Sequence, residues 1–325
     1  MLEKGFVVIP THGFCNRLRM IASSKIFCDQ YNISLNICWI SAPECNINID
    51  DFCRIDSINV IDLKDVQNYR YLYFGKVHTQ DYLEKIKDII ENPTQNYQYI
   101  IVEGGHEFRD TTMSSLEFIY KKHIFYKSLV FTQSIQKRVD EFLSNIDIRD
   151  TIGVHYRDII HEVDKNDIAM NSKLNFVKNS PLSLFIDIVS KSKVKNIIVV
   201  SNTKTCYNLL RSNVHNKNII TTCPQNYSRN KREGIMDSIV DLLILSKMRM
   251  IVGSFYSSFS DEACFFEYIP KLIPLDSRYI SNDIKDNPVY HCHGFTFVNY
   301  PIINDNTKTL FSVFKESIKS IEDMY

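Results

Sequence analysis

Residues 151–160 read TIGVHYRDII, and the reading of this stretch decides how the rest of the chain is parsed. In a strand, successive side chains alternate between faces. Ile152, Val154 and Tyr156 then share one face, and Gly153, His155 and Arg157 share the other. An apolar strand that delivers a histidine and an arginine just before a loop suits an anion, because the guanidinium is a planar fork that grips a phosphate at two points. The plain alternative is a strand that surfaces there, with Arg157 paired to Asp158.

Working outward, strands and helices alternate on both sides of this stretch. After it come a helix near Ser183–Ser190, a strand Asn196–Ser201, a helix Lys204–Asn213 and a strand Asn218–Thr222. A helix Arg232–Lys247, a strand Met250–Ser254 and a helix Ser258–Phe266 follow. Before it, Phe6–Pro10 reads as a buried strand, followed by a loop, a helix over Arg17–Tyr31 and a strand Leu35–Ile40. A helix near Thr79–Asn92, a strand Tyr99–Glu103 and a helix near Phe131–Leu143 complete that half, with residues 41–78 left unassigned. Alternation of this kind implies parallel sheets. With a junction at Asn145–Asp150, the expectation is an α/β chain with domains 1–147 and 148–325, two Rossmann-like halves facing a central cleft. A last helix near Thr307–Met324 is expected to pack back on the first half.

Composition narrows the classes. Lys+Arg and Asp+Glu balance at 38 each, which argues against a nucleic-acid binder built on a broad basic surface. Phe6–Pro10 is too short for the core of a secretory leader, and no run approaches the ~20 apolar residues of a membrane span. Nine cysteines without a CxxC pair read as reduced thiols of a cytoplasmic protein. Cys45 and Cys53 are a pair that could bridge in an oxidising compartment. No GxSxG, HExxH, phosphate-loop or kinase signature is present, and the first loop lacks the full dinucleotide pattern GxGxxG.

In open α/β sheets ligands bind at the carboxyl ends of the strands, so the strand-end loops are the places to look. In PTHGFCNRLR, residues 10–19, Gly13 permits a tight turn, Asn16 is suited to cap a helix starting at Arg17, and Arg17 and Arg19 add positive charge to the helix end. In the run 239–263, Asp241 sits among Ile239, Val240, Leu242 and Leu243 and needs a partner, since a lone buried carboxylate costs several kcal/mol. That partner is either a ligand or a structural cation. Gly253, Ser254, Ser257 and Ser258 then form a strand–loop–helix anion nest. SRNKREG, residues 228–234, is either a solvated basic loop or a flexible clamp on a diphosphate. GGHEF, residues 104–108, follows a strand, which makes His106 and Glu107 candidate acceptor contacts. Glu162 and Asp164 are candidate acids or bases, and His291 and His293 form a metal-like pair without a third ligand.

Taken in order, the Gly–Phe–Cys–Asn–Arg loop, VHYR at 154–157 and DLLILSK…GSFYSSFS at 241–260 resemble the fucosyltransferase superfamily. This superfamily includes the core α1,6-fucosyltransferases, the rhizobial nodulation enzymes and the protein O-fucosyltransferases. The resemblance covers roughly a quarter of the chain. It implies a GT-B-like fold and an inverting transfer of fucose from GDP-fucose, without cofactor or metal, to a glycan or other hydroxyl acceptor. Residue by residue it implies Arg157 at the diphosphate, His155 and Asp241 at the nucleotide, Ser257 and Ser258 near the phosphates, and Asn16 and Arg17 in the loop facing the cleft. His12 stands where some relatives carry a glutamate taken as the base, so His12 and Glu162 are the candidates for that role. The acceptor site is expected in 41–78 and 104–128, the least family-like regions. The same fold using another nucleotide sugar, and a non-catalytic nucleotide- or glycan-binding protein, are the alternatives.

Overall fold

The computed structural model of the chain describes residues 5–56, 58–75, 79–92, 97–158, 180–255, 257–274, 289–292 and 295–298. It separates into two compact units, Met1–Gln136 with Ser228–Ile239, and Lys137–Tyr227 with Val240–Tyr325.

The first unit begins with β1 (Gly5–Pro10), α1 (Phe14–Gln30) and β2 (Leu35–Ile37). There follow β3 (Cys53–Arg54), β4 (Asn59–Val60), β5 (Tyr71–Phe74), α2 (Leu83–Glu91), β6 (Tyr99–Gly104), α3 (Ser115–Lys127) and β7 (Val130–Phe131). Its main sheet has the order β4-β2-β1-β6-β5, and every pair in it is parallel. β1 is buried at all its residues, as a central parallel strand with both faces covered must be. Phe6 packs on Phe27 of α1 with ring centres 5.7 Å apart. On the opposite face Val7, Ile9 and Ile101 form a core with Cys38 and Val66. That face is covered by the irregular segment around Leu63 and Val66.

α4 (Gln133–Leu143) leads to β8 (Thr151–Tyr156), α5 (Leu182–Lys191), β9 (Asn196–Ser201), α6 (Lys204–Asn213) and β10 (Asn218–Thr221). α7 (Arg232–Ser246), β11 (Ile251–Gly253), α8 (Ser258–Glu267) and β12 (Lys271–Leu272) come next, and then the antiparallel pair β13 (Val289–Cys292) and β14 (Phe295–Val298). The second unit's main sheet is parallel, in the order β10-β9-β8-β11-β12. Numbered from its own first strand this is 3-2-1-4-5, the doubly wound order. Ile152, Val154 and Tyr156 share a core with Phe185, Ile188 and Leu210. Each such full burial contributes about 1.5–3 kcal/mol. The opposite face carries Gly153, where a Cβ would lie 2.7 Å from Leu245 Cδ2. The alternation read from TIGVHY therefore holds, and Gly153 lets α7 lie directly on the strand. The chain is α/β with two parallel sheets of the GT-B-like pattern.

Several expectations shift. α1 starts at Phe14, and its N-cap is Gly13 in extended conformation. Asn16 thus lies in the first turn and caps nothing, because Arg17 N already donates to Gly13 O at 3.1 Å. α3 and the short strands β3, β4, β5 and β7 are additions to the sequence reading. Cys45 and Cys53 are both free and buried, not bridged. The stretch 228–239 belongs to the first unit. Glu162, Asp164, His293 and the helix expected near Thr307–Met324 lie outside the described residues.

Candidate functional site

In each unit the strand order reverses beside the first strand, and the carboxyl ends there are where ligands bind an open α/β sheet. In the second unit the reversal lies between β8 and β11. Ser254, just past β11, donates from its backbone to His155 O at 2.9 Å. Its Oγ accepts from Arg157 N, also at 2.9 Å. Buried Lys271 donates to Ser254 O at 3.3 Å and to Asp261 Oδ1 at 2.5 Å. On the other side Asp158 N donates to Asn202 Oδ1 at 2.7 Å, and Thr203 Oγ1 donates to Asp158 Oδ2 at 3.2 Å. The backbone that presents Arg157 is therefore clamped from both neighbouring strands, and its side chain is half-buried. Ser257 is the buried N-cap of α8 and makes no capping bond, and half-buried Ser258 opens the helix. The first-turn N–H groups of a helix carry partial positive charge. At Gly253 a Cβ would meet Ser260 Cβ and Lys271 Cε at 2.7 Å, so only glycine brings the strand this close to α8.

His155 differs from the simple anion reading of the motif. It is 5% exposed and stacks on Phe259 with ring centres 4.8 Å apart. Burial, and then the charges of Lys271 and Arg157, pull its pKa down to about 3. The imidazole is thus neutral near pH 7 and offers a hydrogen-bonding ring, while the positive charge at this strand end is Arg157's. Its Nδ1 is buried without a partner among the described residues. Asp241 is also buried. It lines a narrow pocket with Ser201, Thr203, Thr222 and Tyr227 at the ends of β9 and β10.

In the first unit the reversal lies between β1 and β6. His12 is exposed and takes a left-handed backbone, φ +66°. A Cβ at Gly105 would lie 2.6 Å from His12 Cδ2 and 2.8 Å from Thr11 O, so the two strand-end loops can touch only because residue 105 is glycine. His12 and His106 meet edge-on, with ring centres 6.1 Å apart. Arg17 is buried, with Nε donating to His12 O at 2.9 Å and Nη1 to Ile40 O at 2.6 Å. Its guanidinium lies 4.8 Å from the centre of the Trp39 ring. These bonds make Arg17 the brace of the loop. A cavity of about 520 Å³ opens here, lined by His12, Arg17, Glu44, Glu103 and His106. Glu107 is ion-paired with the buried ammonium of Lys122. The basic loop is tied down too. Asn46 Nδ2 donates to Asn230 O at 2.8 Å, and Arg232 binds Asp51 Oδ1 at 2.9 Å, which holds the Asp51 carboxyl below its usual range.

Thus the structure gathers His155, Arg157, Ser257 and Ser258 in the second unit, and His12, Arg17 and His106 in the first. The sequence reading missed Lys271 and Glu103, and it placed Ser254 in the anion nest without its bond from Arg157 N. Glu103 carried a signal, since a charged residue closing an apolar strand is the same pattern that singled out Arg157. Among the described residues no group of three or more His, Cys, Asp and Glu side chains is arranged to hold a metal ion. No described helix is long and apolar enough to cross a membrane.

No protein-family model and no curated protein matches the sequence. Solved structures do match the fold. The fucosyltransferase NodZ from Bradyrhizobium superposes with a TM-score of 0.58 at 13% identity, over 83% of this chain and 94% of that one. A mutant of Arabidopsis thaliana FUT1 in complex with GDP gives 0.57 at 13% identity, over 87% and 73%. POFUT1 in complex with GDP gives 0.54 at 12% identity, over 84% and 98%. A further NodZ α-1,6-fucosyltransferase crystal, soaked with GDP-fucose, gives 0.56 at 14% identity. The chain has the fold of these fucosyltransferases, the superfamily that its motifs resemble.

Proposed function

We propose that the chain is a glycosyltransferase that moves fucose from GDP-fucose to a hydroxyl of a glycan or other acceptor. The observation that carries this reading is a coincidence. The strand-end VHYR motif stands at the switch point of the second unit, in a chain whose fold is that of fucosyltransferases, one of them soaked with GDP-fucose. In this reading the second unit binds the donor, and the first unit receives the acceptor.

The chemistry follows from the groups present. A lone pair of the acceptor oxygen attacks C1 of fucose, on the face opposite the diphosphate, and the configuration inverts. The bond from C1 to the diphosphate oxygen breaks, and its electron pair leaves with GDP. The growing negative charge is met by the Arg157 guanidinium, by the α8 N-terminus and by the Ser257 and Ser258 hydroxyls. These groups supply the stabilisation that a metal ion would otherwise give. His155 and Asp241 hold the nucleotide as hydrogen-bonding groups. His12, exposed on the 520 Å³ cavity, takes the acceptor's proton.

The test is nucleotide release from a panel of nucleotide sugars in EDTA, for wild type and Arg157→Ala. GDP release from GDP-fucose alone, lost in the variant, is the expected outcome. Release from another donor would sink the fucose assignment. GDP binding by calorimetry with no turnover on any acceptor would favour a binding protein, and absence of GDP binding would end the donor reading.

A further inference from the structure

The first unit carries a second opening that the donor chemistry does not use. Strand register aligns Tyr73 with Ile101 and Val7, and Glu103 with Ile9. Residues aligned across parallel strands share a face, and residues two apart along a strand do also. Tyr71, Tyr73, Ile101, Glu103 and Ile9 therefore stand on one face of the sheet. It is the face covered by the irregular segment around Leu63 and Val66 rather than by a long helix. Toward the carboxyl ends that cover leaves a trough of about 350 Å³. Its floor is Ile9, Val66 and Ile101, and its walls include Tyr71, Tyr73 and Glu103. Glu103 and Ile40 also line the 520 Å³ cavity that holds His12. The trough thus runs toward the group assigned above as the base.

The walls define the ligand. Tyr71 and Tyr73 lie on the edge strand, 42% and 47% exposed, although rings of this size usually bury most of their surface. Tyr73 Oη donates to the Glu103 carboxylate, which holds that carboxylate at the rim. Burial and this bond raise the Tyr73 phenol to about 12, so it remains a neutral donor. Gln67 adds an amide. Among the described residues no lysine or arginine lines the trough, and Glu103 disfavours an anion. A purely apolar ligand would strip water from the carboxylate's second oxygen and from the amide without replacing its bonds. A neutral pyranose satisfies both halves, because its C–H face packs on aromatic rings and its hydroxyls donate to a carboxylate and exchange bonds with an amide.

We propose that this trough is the acceptor subsite, taking a neutral pyranose ring against Tyr71 and Tyr73 with Glu103 and Gln67 on its hydroxyls. The inference rests on the glycosyl-transfer reading above and names the acceptor class for it.

The experiment is saturation-transfer NMR with the methyl β-glycosides of neutral hexoses and N-acetylhexosamines. It compares wild type with Tyr71→Ala, Glu103→Gln, and Tyr120→Ala, an exposed tyrosine of α3, as the control. Wild type is expected to saturate the ring protons of at least one glycoside. Tyr71→Ala and Glu103→Gln should each weaken that binding about five-fold or more, on the scale of one lost stacking or hydrogen-bonding contact. Tyr120→Ala should leave it unchanged. Tyr73→Phe keeps the ring and frees the carboxylate, so it should bind with altered preference among the glycosides. Wild type binding none of the glycosides overturns the proposal, as does equal binding by wild type, Tyr71→Ala and Glu103→Gln. Thermal melts of each variant separate lost binding from lost folding. GDP titration of the same samples reads the donor site separately, so failure there leaves the saccharide result standing and the reverse also holds.

Discussion

Each unit carries a histidine and an arginine near the carboxyl end of its first strand, where the strand order reverses, His12 and Arg17 after β1 and His155 and Arg157 at the end of β8, and the two pairs are buried in opposite ways. In the first unit His12 is exposed and Arg17 is the buried member, braced on two carbonyls and the Trp39 ring. In the second unit His155 is the buried member, stacked on Phe259, and Arg157 is half-buried, with its backbone N–H donating to Ser254 Oγ. The same two residue types are thus buried in one unit and exposed or half-buried in the other. Position relative to the helix decides which. Arg17 lies inside the first turn of α1 and folds back over its own loop, whereas Arg157 directly follows β8.

This contrast can be broken by experiment. The largest effect is expected from Arg157→Ala. Losing one preorganised donor at a developing charge should cut turnover by about 10²–10³-fold. Arg17→Met should act on stability instead, because it strands two carbonyls that accept from a charged group. A loss of about 2–3 kcal/mol in denaturant unfolding is expected, with GDP affinity by calorimetry nearly unchanged. If Arg17→Met abolished GDP binding and left stability intact, the assignment of brace and ligand would be inverted.

Next come the two glycines that allow the close approaches. Gly253→Ala and Gly105→Ala each force a Cβ to within 3 Å of fixed neighbours and should cost about 1–3 kcal/mol. Only Gly253→Ala should also weaken GDP binding, since it displaces α8. Equal effects on GDP would deny the division of labour between the units.

A further effect is the pH dependence set by His155. Its folded pKa, about 3, lies below the ordinary 6.5. The unfolded chain therefore binds the proton more readily between those values, and stability falls as pH drops through 6.5 toward 3. The slope from this group is at most about 1.4 kcal/mol per pH unit. His155→Phe, which keeps an aromatic ring against Phe259, should flatten that part of the stability curve. An unchanged slope would mean that His155 is not held neutral.

Much of this was legible in the residues. FVVIP is apolar on both faces, which only a covered central strand tolerates, TIGVHY is apolar on one face with Gly153 on the other, and both proved central. Helix α3 was missed although Ser114 and Glu117 mark its start, with Ser114 Oγ accepting from Glu117 N at 3.2 Å. Its body, SLEFIYKKHIFYK, mixes aromatic and β-branched residues that fit a strand equally well. The edge strand β5 was missed because YLYF follows an irregular stretch and is only partly buried.

The sequence by itself determined the alternation of strands and helices, the faces of the central strands and the strand ends where chemistry would gather. Those follow from local periodicity, and each can be read along a single segment. Only the tertiary structure decided which arginine is spent on carbonyls, which histidine is stripped of its charge, and that Tyr71, Tyr73 and Glu103 share one trough. These outcomes depend on burial and on partners far apart in the chain. Arg17 meets Ile40, Arg157 meets Ser254 and Tyr73 meets Glu103 only after the sheets have closed.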